Sequence, residues 1–370
     1  YDFFTSYDNH KSLEFTPYLF NFVLKNYFYV LGYETEIARY IPVFCSIISV
    51  LIISLISKQI SQSNEYLLST FLISFNIFCI SYAQELRVYS WLFLFISLLI
   101  LFFIRSQQKQ GYLDPAFFFI FTFISAFLHH YTFILLFSYL IFFFVKFNKI
   151  KKKSLNLFIL TLLIFFISCL FYYTSFKSSV ANPTWMSQPE IKFFTNFYFS
   201  KFFGSWAVGL FFLILFFFLI IKKIKIIYNN NYLFFFTMFV LCSYSIPIIY
   251  GYIFRPVIMP RYIIFVIIPI ILILSNLTFE LDKKYKNIIF TLIVIITIGN
   301  LFTEQTFKQF FEKRIPHKPE VSKSLDIINK SKINFVFPLV NSREEELDEA
   351  WTKSIYNYLN YLIKDNQLNI

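Results

Sequence analysis

The chain has 370 residues, of which 58% are hydrophobic and only 15% are charged, and it contains 56 phenylalanines. Soluble domains carry about 25% charged residues, and the apolar runs show neither the alternation of a half-buried strand nor the single stripe of a surface helix. This composition argues against a soluble protein and predicts a polytopic all-α membrane protein. The net charge of +12 does not indicate nucleic-acid binding, because the lysines lie in loops between apolar runs, where cations set topology.

Ten apolar runs are candidate membrane spans, since flanking Tyr, Trp and Lys can extend the shorter ones by interfacial anchoring. In chain order they cover residues 39–57, 66–83, 90–104, 115–128, 131–145, 156–173, 205–221, 232–250, 262–280 and 287–302. The block 115–145 is too long for one span and is broken only by His129 and His130, which predicts two helices joined by a tight turn there. The abundance of Phe, Ile, Lys and Asn indicates a bacterial source with AT-rich codons.

The loops between these runs form two alternating sets that differ in charge. The first set carries 14 Lys and Arg and comprises residues 58–65, 105–114, 146–155, 222–231 and 281–286. The second set carries six over more residues and comprises residues 84–89, 129–130, 174–204 and 251–261. The positive-inside rule places the first set in the cytoplasm and the second set outside.

This topology predicts two domains. Residues 1–302 form a transmembrane domain whose first outer loop is 1–38, and residues 303–370 form a small extracytoplasmic domain. In the tail, "INFVF" predicts a short strand and "REEELDEAWTKSIYNYLNYLIK" an amphipathic helix, so the tail is expected to be a small α/β segment. The outer loop 174–204 contains "FFTNFYFSKFF", which indicates a re-entrant or interfacial segment.

Ionisable and aromatic residues gather at the helix mouths of the outer set. An ionisable residue beside hydrocarbon is costly and usually functional, and residues scattered by chance would divide between the two sides. The pattern therefore predicts a membrane enzyme with an outward-facing active site. Its members are His10, Glu14, Glu85, Arg87, His129, His130, Tyr131, Arg255 and Arg261.

Four stretches, in this order, carry a resemblance to a known family: "LEFTPYLF" with "LGYETEIARYIP", "YAQELRVYSWLFLF", "LHHYTFILL" and "MPRYIIFVIIPIILI". They are similar to motifs of the GT-C glycosyltransferases, above all of the dolichyl-phosphate-mannose–protein mannosyltransferase-like family. That family includes the bacterial aminoarabinose transferases and related lipopolysaccharide sugar transferases. The resemblance covers about residues 8–280.

The resemblance implies a GT-C type multi-helix core in the bacterial cytoplasmic membrane. Such an enzyme moves a sugar from a polyprenyl-phosphate donor to a lipid, glycan or protein acceptor at the outer face. It implies an essential acidic residue near the end of a first span. The chain begins at Tyr1, after the position expected for that motif, so we expect the first span to precede it. Asp8 is the upstream acid that is the candidate catalytic base.

The resemblance also assigns roles to individual residues. Glu14 matches an acidic position that holds a divalent metal in some members, and Glu85 matches an acidic position facing the carrier phosphate. Arg87 is then a candidate phosphate ligand, because its guanidinium can bind phosphate with two hydrogen bonds. The remaining candidate substrate-binding residues are His129, His130 and Tyr131, which match a "T-H-Y" turn, Arg261 and Tyr262, which match "P-R-Y", and Arg255.

Other interpretations stay open from sequence alone. Glu85 and Arg87 fit an ordinary interfacial ion pair, and Arg255 and Arg261 fit interfacial anchors. A transporter or flippase of lipid-linked oligosaccharides would show midplane charges and spans broken by Gly or Pro, whereas the chain has only six glycines. A polysaccharide polymerase would carry a large outer loop rich in Arg and His, and the loop 174–204 contains neither.

Overall fold

The structure, a computed structural model, describes residues 19–31, 35–60, 64–108, 113–146, 159–164, 166–167 and 188–303. The described part is mostly helical and contains no strand. The chain divides into two compact units, Tyr1–Thr306 and Phe307–Ile370. The second unit lies outside the described residues, and so do the strand and the amphipathic helix that the sequence predicts for it.

The first half of the described chain forms eight helices: α1 (Leu19–Leu31), α2 (Thr35–Ala38), α3 (Tyr40–Ile60), α4 (Glu65–Ser74), α5 (Ile77–Ala83), α6 (Val88–Gln108), α7 (Leu113–Leu128) and α8 (Thr132–Lys146). The second half forms α9 (Ile191–Asn196), α10 (Phe199–Phe202), α11 (Trp206–Lys222), α12 (Ile224–Asn229), α13 (Asn231–Ile253), a 3₁₀ turn (Ile264–Val266), α14 (Ile267–Phe279) and α15 (Lys283–Leu301). Between the two halves, residues 159–164 and 166–167 are also helical.

Four described helices, α3, α6, α13 and α15, are long and apolar enough to cross a membrane. The pair α4–α5 becomes a fifth candidate if the two are counted as one span bent by 53°. Shorter apolar helices accompany them, namely α7, α8, α11 and the stretch Ile264–Phe279. The described part is therefore a helical bundle with four or five helices of membrane-spanning character.

The core surrounds α14. Every residue from Ile264 to Thr278 is buried, and α14 packs against α4, α11 and α13. A helix that is apolar on all faces must be enclosed on all faces, which explains its central place. By contrast, α15 buries only 17% of its apolar window inside the protein. Its apolar side chains are therefore available to lipid.

The predicted turn at the histidine pair is confirmed: α7 ends at Leu128 and α8 begins at Thr132. The turn is tied to α7 by its backbone and by a side chain. The His129 amide donates to the Ser125 carbonyl at 3.1 Å, and the Thr132 hydroxyl donates to the same oxygen at 2.8 Å. These bonds satisfy backbone groups that a helix end leaves open.

The candidate span at 66–83 is not one straight helix, because it breaks at Phe75 and Asn76. The Asn76 carboxamide oxygen accepts from the Cys79 amide at 3.0 Å, which starts α5 as a new helix. Its amide nitrogen donates to the Phe202 carbonyl at 3.1 Å. Asparagine competes for backbone hydrogen bonds and so favours a cap over a helix interior.

The prediction that 1–38 is a loop also needs correction, because α1 and α2 lie within it. α1 is too short to span a bilayer, but it packs on the bundle. Phe20 is buried, and its ring meets the Trp91 ring edge-on with centroids 5.5 Å apart. Residues 1–18 and 32–34 lie outside the described part.

Two glycines allow α10 to lie against its neighbours. Gly204 has φ +95°, in the left-handed region, and a Cβ there would lie 2.6 Å from Ile77 Cδ1. A Cβ on Gly209 would lie 2.3 Å from the Ser200 amide nitrogen, which is backbone and cannot rotate away. The contact of α11 with α10 therefore requires glycine at position 209.

We expect Gly209→Ala to lower the thermal unfolding midpoint of the detergent-solubilised protein, because the new methyl group must push α10 off α11 and overpacking destabilises by about 1–3 kcal/mol. Gly299→Ala is the matched control, since nothing lies within 4 Å of the added methyl and alanine favours a helix interior by about 1 kcal/mol over glycine. Equal midpoints for the two variants would contradict the close approach.

Candidate functional site

The loops that alternate in charge meet at opposite ends of the bundle. At one end, Gln108 donates to the Gln59 carbonyl at 2.9 Å, and Lys146 donates to the Tyr228 carbonyl at 2.5 Å. At the other end, the Tyr131 hydroxyl donates to the Val257 carbonyl. We call the first the lysine end and the second, formed by residues 82–89, 129–131 and 254–263, the tyrosine end.

The tyrosine end contains four phenol rings and one imidazole in contact, which we call the tyrosine cluster: Tyr82, Tyr89, His129, Tyr131 and Tyr262. The Tyr89 ring centroid lies 5.2 Å from that of Tyr82 and 6.3 Å from that of Tyr262. The His129 ring lies 5.4 Å from Tyr262, and the Tyr131 ring 5.7 Å. Buried tyrosine hydroxyls need polar partners. The cluster therefore brings several hydrogen-bonding groups together at one end of an apolar bundle.

Glu85 and Arg87 lie on the short loop between α5 and α6, at the edge of the cluster. The Arg87 amide donates to the Glu85 carbonyl at 2.8 Å, and the two side chains form an ion pair at 3.5 Å. Each side chain is 48% exposed. The Ser90 hydroxyl closes the loop by donating to the Tyr82 carbonyl at 2.8 Å. An exposed ion pair contributes at most about 1 kcal/mol, so both groups can exchange partners with a ligand at little cost.

Arg261 is half-buried beside the cluster, with its guanidinium 5.3 Å from the centre of the Tyr262 ring. Desolvation acts to lower its pKa, but Tyr89, Tyr262 and Tyr82 outweigh it and the net shift is upward. The guanidinium therefore carries a permanent charge toward the phenols. A fixed cation in partly desolvated surroundings is suited to binding an anion such as phosphate.

His129 is buried, with 4% of its surface exposed. Burial lowers the pKa of its imidazole to about 3, and the charge of the neighbouring His130 adds to this effect. The Tyr131 amide donates to Nδ1 of His129 at 3.2 Å. Nδ1 is therefore the acceptor, and the single proton of the neutral ring lies on Nε2. His129 can donate a hydrogen bond but supplies no charge at neutral pH.

The loop between α13 and the 3₁₀ turn carries both Arg255 and Arg261, and we call it the arginine loop (254–263). Two adjacent carbonyls of this loop accept hydrogen bonds from tyrosine hydroxyls. Tyr131 donates to Val257, and Tyr198 donates to Ile258 at 3.2 Å. Desolvation, followed by Tyr262 and Tyr198, raises the pKa of the Tyr131 phenol, so it remains a donor at physiological pH.

An apolar groove of about 610 Å³ lies between α11 and α13. It extends along α13 from Phe234 to Ile248, and Tyr228 on α12 lines its end near the lysine end. Near the tyrosine end it is lined by Phe197, whose carbonyl accepts from the Tyr244 hydroxyl at 2.8 Å. A groove of this size and lining fits the hydrocarbon tail of a lipid.

The structure brings together most of the residues predicted from sequence. Glu85 pairs with Arg87, and His129, Tyr131 and Tyr262 share the cluster with Arg261 beside it. Arg255 and His130 are half-buried at the same end, Arg255 on the arginine loop and His130 in the turn. Asp8 and Glu14 lie outside the described residues.

The metal implied by the resemblance has no set of ligands within the described ranges. Glu14, its predicted ligand, lies outside them, and no described group of three or more His, Cys, Asp and Glu can hold a metal ion. We therefore derive no step through a metal.

Sequence reasoning missed three tyrosines of this end. Tyr82 and Tyr89 flank the Glu85–Arg87 motif at a spacing of seven residues, and that symmetry was a usable signal. Tyr198 is the single tyrosine in the phenylalanine-rich stretch "FFTNFYFSKFF", so the sequence does not single it out. Only the fold shows that this hydroxyl reaches Ile258.

Comparisons with known proteins add no family to these observations. No family model, no curated protein and no solved structure matches the chain.

We expect the protein to lose stability on acidification because of His129. The unfolded histidine binds a proton below about pH 6.5 and the folded one only near 3. The unfolded state therefore binds more protons in this window, and the free energy of unfolding falls as pH drops through it. His129→Asn retains an acceptor for the Tyr131 amide and removes the titration. Thermal unfolding of both proteins between about pH 4 and pH 7 should show a shallower slope for the variant.

His130→Gln is the control for this measurement. Burial is the larger cause of the shift at His129, so this variant should keep most of the acid slope. A wild-type slope in His129→Asn would mean that another group controls acid stability.

Proposed function

We propose that the chain is a membrane glycosyltransferase of the GT-C type, which moves a sugar from a polyprenyl-phosphate donor to a cell-envelope acceptor. The observation that carries the proposal is one end of the bundle where a carboxylate and three guanidinium groups lie at the tyrosine cluster, which itself contains a neutral imidazole. An apolar groove begins beside that end. A lipid with a phosphate-linked sugar has the matching parts, namely an apolar tail, an anionic head and hydroxyl groups.

In this proposal the arginines bind the phosphate. An acceptor oxygen or nitrogen attacks the anomeric carbon, and the bond between that carbon and the phosphate oxygen breaks with its electron pair leaving on the phosphate. The cationic side chains of Arg261 and Arg255 stabilise the charge that develops there. The acceptor loses its proton to a carboxylate, for which Glu85 is the exposed candidate.

The tyrosine cluster, including His129, binds the sugar in this proposal. Phenol hydroxyls and the Nε2 proton of a neutral imidazole donate hydrogen bonds to hydroxyl groups without adding a charge. The proposed roles of the predicted binding residues thus divide into cations for the phosphate and neutral donors for the sugar.

The apolar groove receives the lipid tail. It starts at Phe197, one residue before Tyr198, whose hydroxyl binds the arginine loop. A tail in the groove would therefore place its headgroup beside the arginines. We place the enzyme in the bacterial cytoplasmic membrane with the tyrosine end outside, on the strength of the 14 to six division of Lys and Arg between the loop sets.

A transporter of lipid-linked sugars is the second candidate, and the broken pair α4–α5 together with Pro247 inside α13 favours it. Broken helices bind ions or substrates in transporters through their open backbone ends. At this break, however, Asn76 caps α5 and donates to the Phe202 carbonyl. The side chain at the break therefore binds α10 and caps α5. Because this polar group is already used within the fold, the break gives less support to a transporter than to an enzyme.

The central test is turnover of a synthetic polyprenyl-phosphate sugar by the purified full-length protein. Glu85→Gln removes the proton acceptor and should lower kcat about 10²–10⁴-fold. Arg261→Ala removes a cation at the leaving phosphate and should lower kcat about 10²–10³-fold. The measurement is release of labelled sugar from the carrier.

Glu280→Gln and Lys284→Ala are matched controls, since both residues are exposed at the lysine end. They should retain wild-type turnover. Wild-type rates in Glu85→Gln and Arg261→Ala would overturn the site. Translocation of labelled lipid-linked oligosaccharide across liposomes, with no sugar released, would favour the transporter.

The groove makes a separate prediction. Thr237→Trp adds an indole at a residue that lines it and should weaken binding of a polyprenyl phosphate about tenfold, because the added volume displaces the tail. Thr291→Trp makes the same change on the exposed face of α15 and should leave the affinity unchanged. Equal affinities for the two variants would exclude this groove as the tail site.

A further inference from the structure

The segment from Gln188 to Phe203 contains an unusual backbone. Phe197 has φ 47° and ψ 41°, and the next residue, Tyr198, has φ 63° and ψ 6°. Both conformations are left-handed, a region that L-residues with large side chains rarely adopt. Phe197 and Tyr198 are the non-glycine residues with positive φ in the described chain. Such conformations persist only where surrounding contacts fix them, and they concentrate at functional sites.

Hydrogen bonds with one helix, α13, and with the arginine loop fix this segment. The Tyr244 hydroxyl on α13 donates to the Phe197 carbonyl at 2.8 Å. The Gln188 amide donates to the Gly251 carbonyl at 2.7 Å. The Tyr198 hydroxyl donates to Ile258 at 3.2 Å, and its ring meets Phe193 edge-on at 4.7 Å. The left-handed turn is therefore what points the Tyr198 hydroxyl at the arginine loop.

The position of Tyr198 links two parts of the proposed site. Its neighbours Phe197 and Phe199 line the apolar groove, while its hydroxyl holds the carbonyl of Ile258, three residues before Arg261. The Tyr131 hydroxyl donates to the adjacent carbonyl of Val257. Two hydroxyls on consecutive carbonyls determine where the arginine loop lies relative to the tyrosine cluster.

We infer that Tyr198 is a positioning residue: its hydroxyl holds the arginine loop so that Arg261 meets an anionic headgroup whose tail occupies the groove. This inference rests on the proposed function for the identity of the ligand, but the restraint on the loop does not. Tyr198 contacts no reacting atom and acts through Arg261. The tail and headgroup sites are therefore coupled through one side chain.

The first experiment measures the restraint without any ligand. Tyr198→Phe removes one hydroxyl and keeps the ring against Phe193. Amide hydrogen exchange in residues 257–263 of the full-length protein in detergent should become about fivefold faster, as loss of a hydrogen bond worth about 1 kcal/mol implies. Tyr131→Phe, which removes the neighbouring bond from α8's side, should loosen the same residues. Tyr252→Phe, at an exposed tyrosine near the end of α13, should change nothing.

The second experiment measures the coupling through a double-mutant cycle. Polyprenyl phosphate without sugar is the probe. Tyr198→Phe should weaken its binding about fivefold when Arg261 is present, and less than about twofold in an Arg261→Ala background. A residue with a merely structural role would weaken binding by the same factor in both backgrounds.

The two experiments separate failure of this inference from failure of the proposed function. Unchanged hydrogen exchange in Tyr198→Phe overturns the inference even if the enzyme transfers sugar. Faster exchange in a protein that binds no polyprenyl phosphate supports the restraint and overturns the proposed ligand. Equal weakening in both Arg261 backgrounds also overturns the inference, because it shows that Tyr198 does not act through that guanidinium.

Discussion

Backbone carbonyls that leave the helices inside an apolar bundle must find donors within the protein, because hydrocarbon offers none. This constraint governs the whole tyrosine end. Asn76 and Asn300 donate to the carbonyls of Phe202 and Phe203, at 3.1 Å and 2.6 Å. Tyrosine hydroxyls donate hydrogen bonds to the carbonyls of Phe197, Val257 and Ile258. These five side chains help to stabilise the irregular backbone in this region.

The same constraint explains why tyrosine and phenylalanine are not interchangeable in so aromatic a chain. Phenylalanines fill the interior between helices, as where Phe103 meets Tyr139 and Phe235 at 4.6 Å and 5.2 Å. Phenylalanine rings pack well, but they cannot donate or accept a hydrogen bond. A tyrosine adds a donor at the end of the same rigid ring. The tyrosines at helix mouths therefore stabilise irregular loops in a bundle whose interior packs phenylalanine rings against one another and against aliphatic side chains.

The sequence predicted best where a polar signal interrupts an apolar run. The turn at His129 and His130 is predicted because placing two polar imidazoles against lipid in the middle of a helix costs free energy. The same contrast singles out Glu85, Arg87 and Arg261, which lie at one end of the bundle. The break at Asn76 was missed, because a single carboxamide in an apolar run looks like an ordinary helix residue until its partner, Phe202, is known.

What the sequence could not supply is contact between residues far apart in the chain. Tyr198 precedes Ile258 by 60 residues, and no periodicity relates them. The left-handed backbone at Phe197 has no local signature either, since it contains no glycine or asparagine. It results from hydrogen bonds with α13 and the arginine loop, that is, from tertiary structure overriding local preference. The helix α1 was missed for a related reason: its few polar residues made a short packed helix look like a loop.

The two ends of the bundle use charge in different ways, and this contrast bears on function. At the lysine end, Lys146 is buried with its ammonium 3.8 Å from the centre of the Tyr228 ring. Asp114, also buried, pairs with Arg105 at 2.9 Å. These charges hold helices together, since breaking a buried pair leaves a desolvated charge behind.

At the tyrosine end, Glu85 and Arg87 are half exposed and lie 3.5 Å apart on one loop, so their pairing joins no two helices. The arginine loop is held in part through its backbone carbonyls, which accept from the hydroxyls of Tyr131 and Tyr198. The exposed pair of Glu85 and Arg87 contributes little to the fold and lies at the same end as neutral donors and an apolar groove. This arrangement supports the proposed ligand, which is charged at one end and apolar at the other. A phosphate-linked lipid has that form.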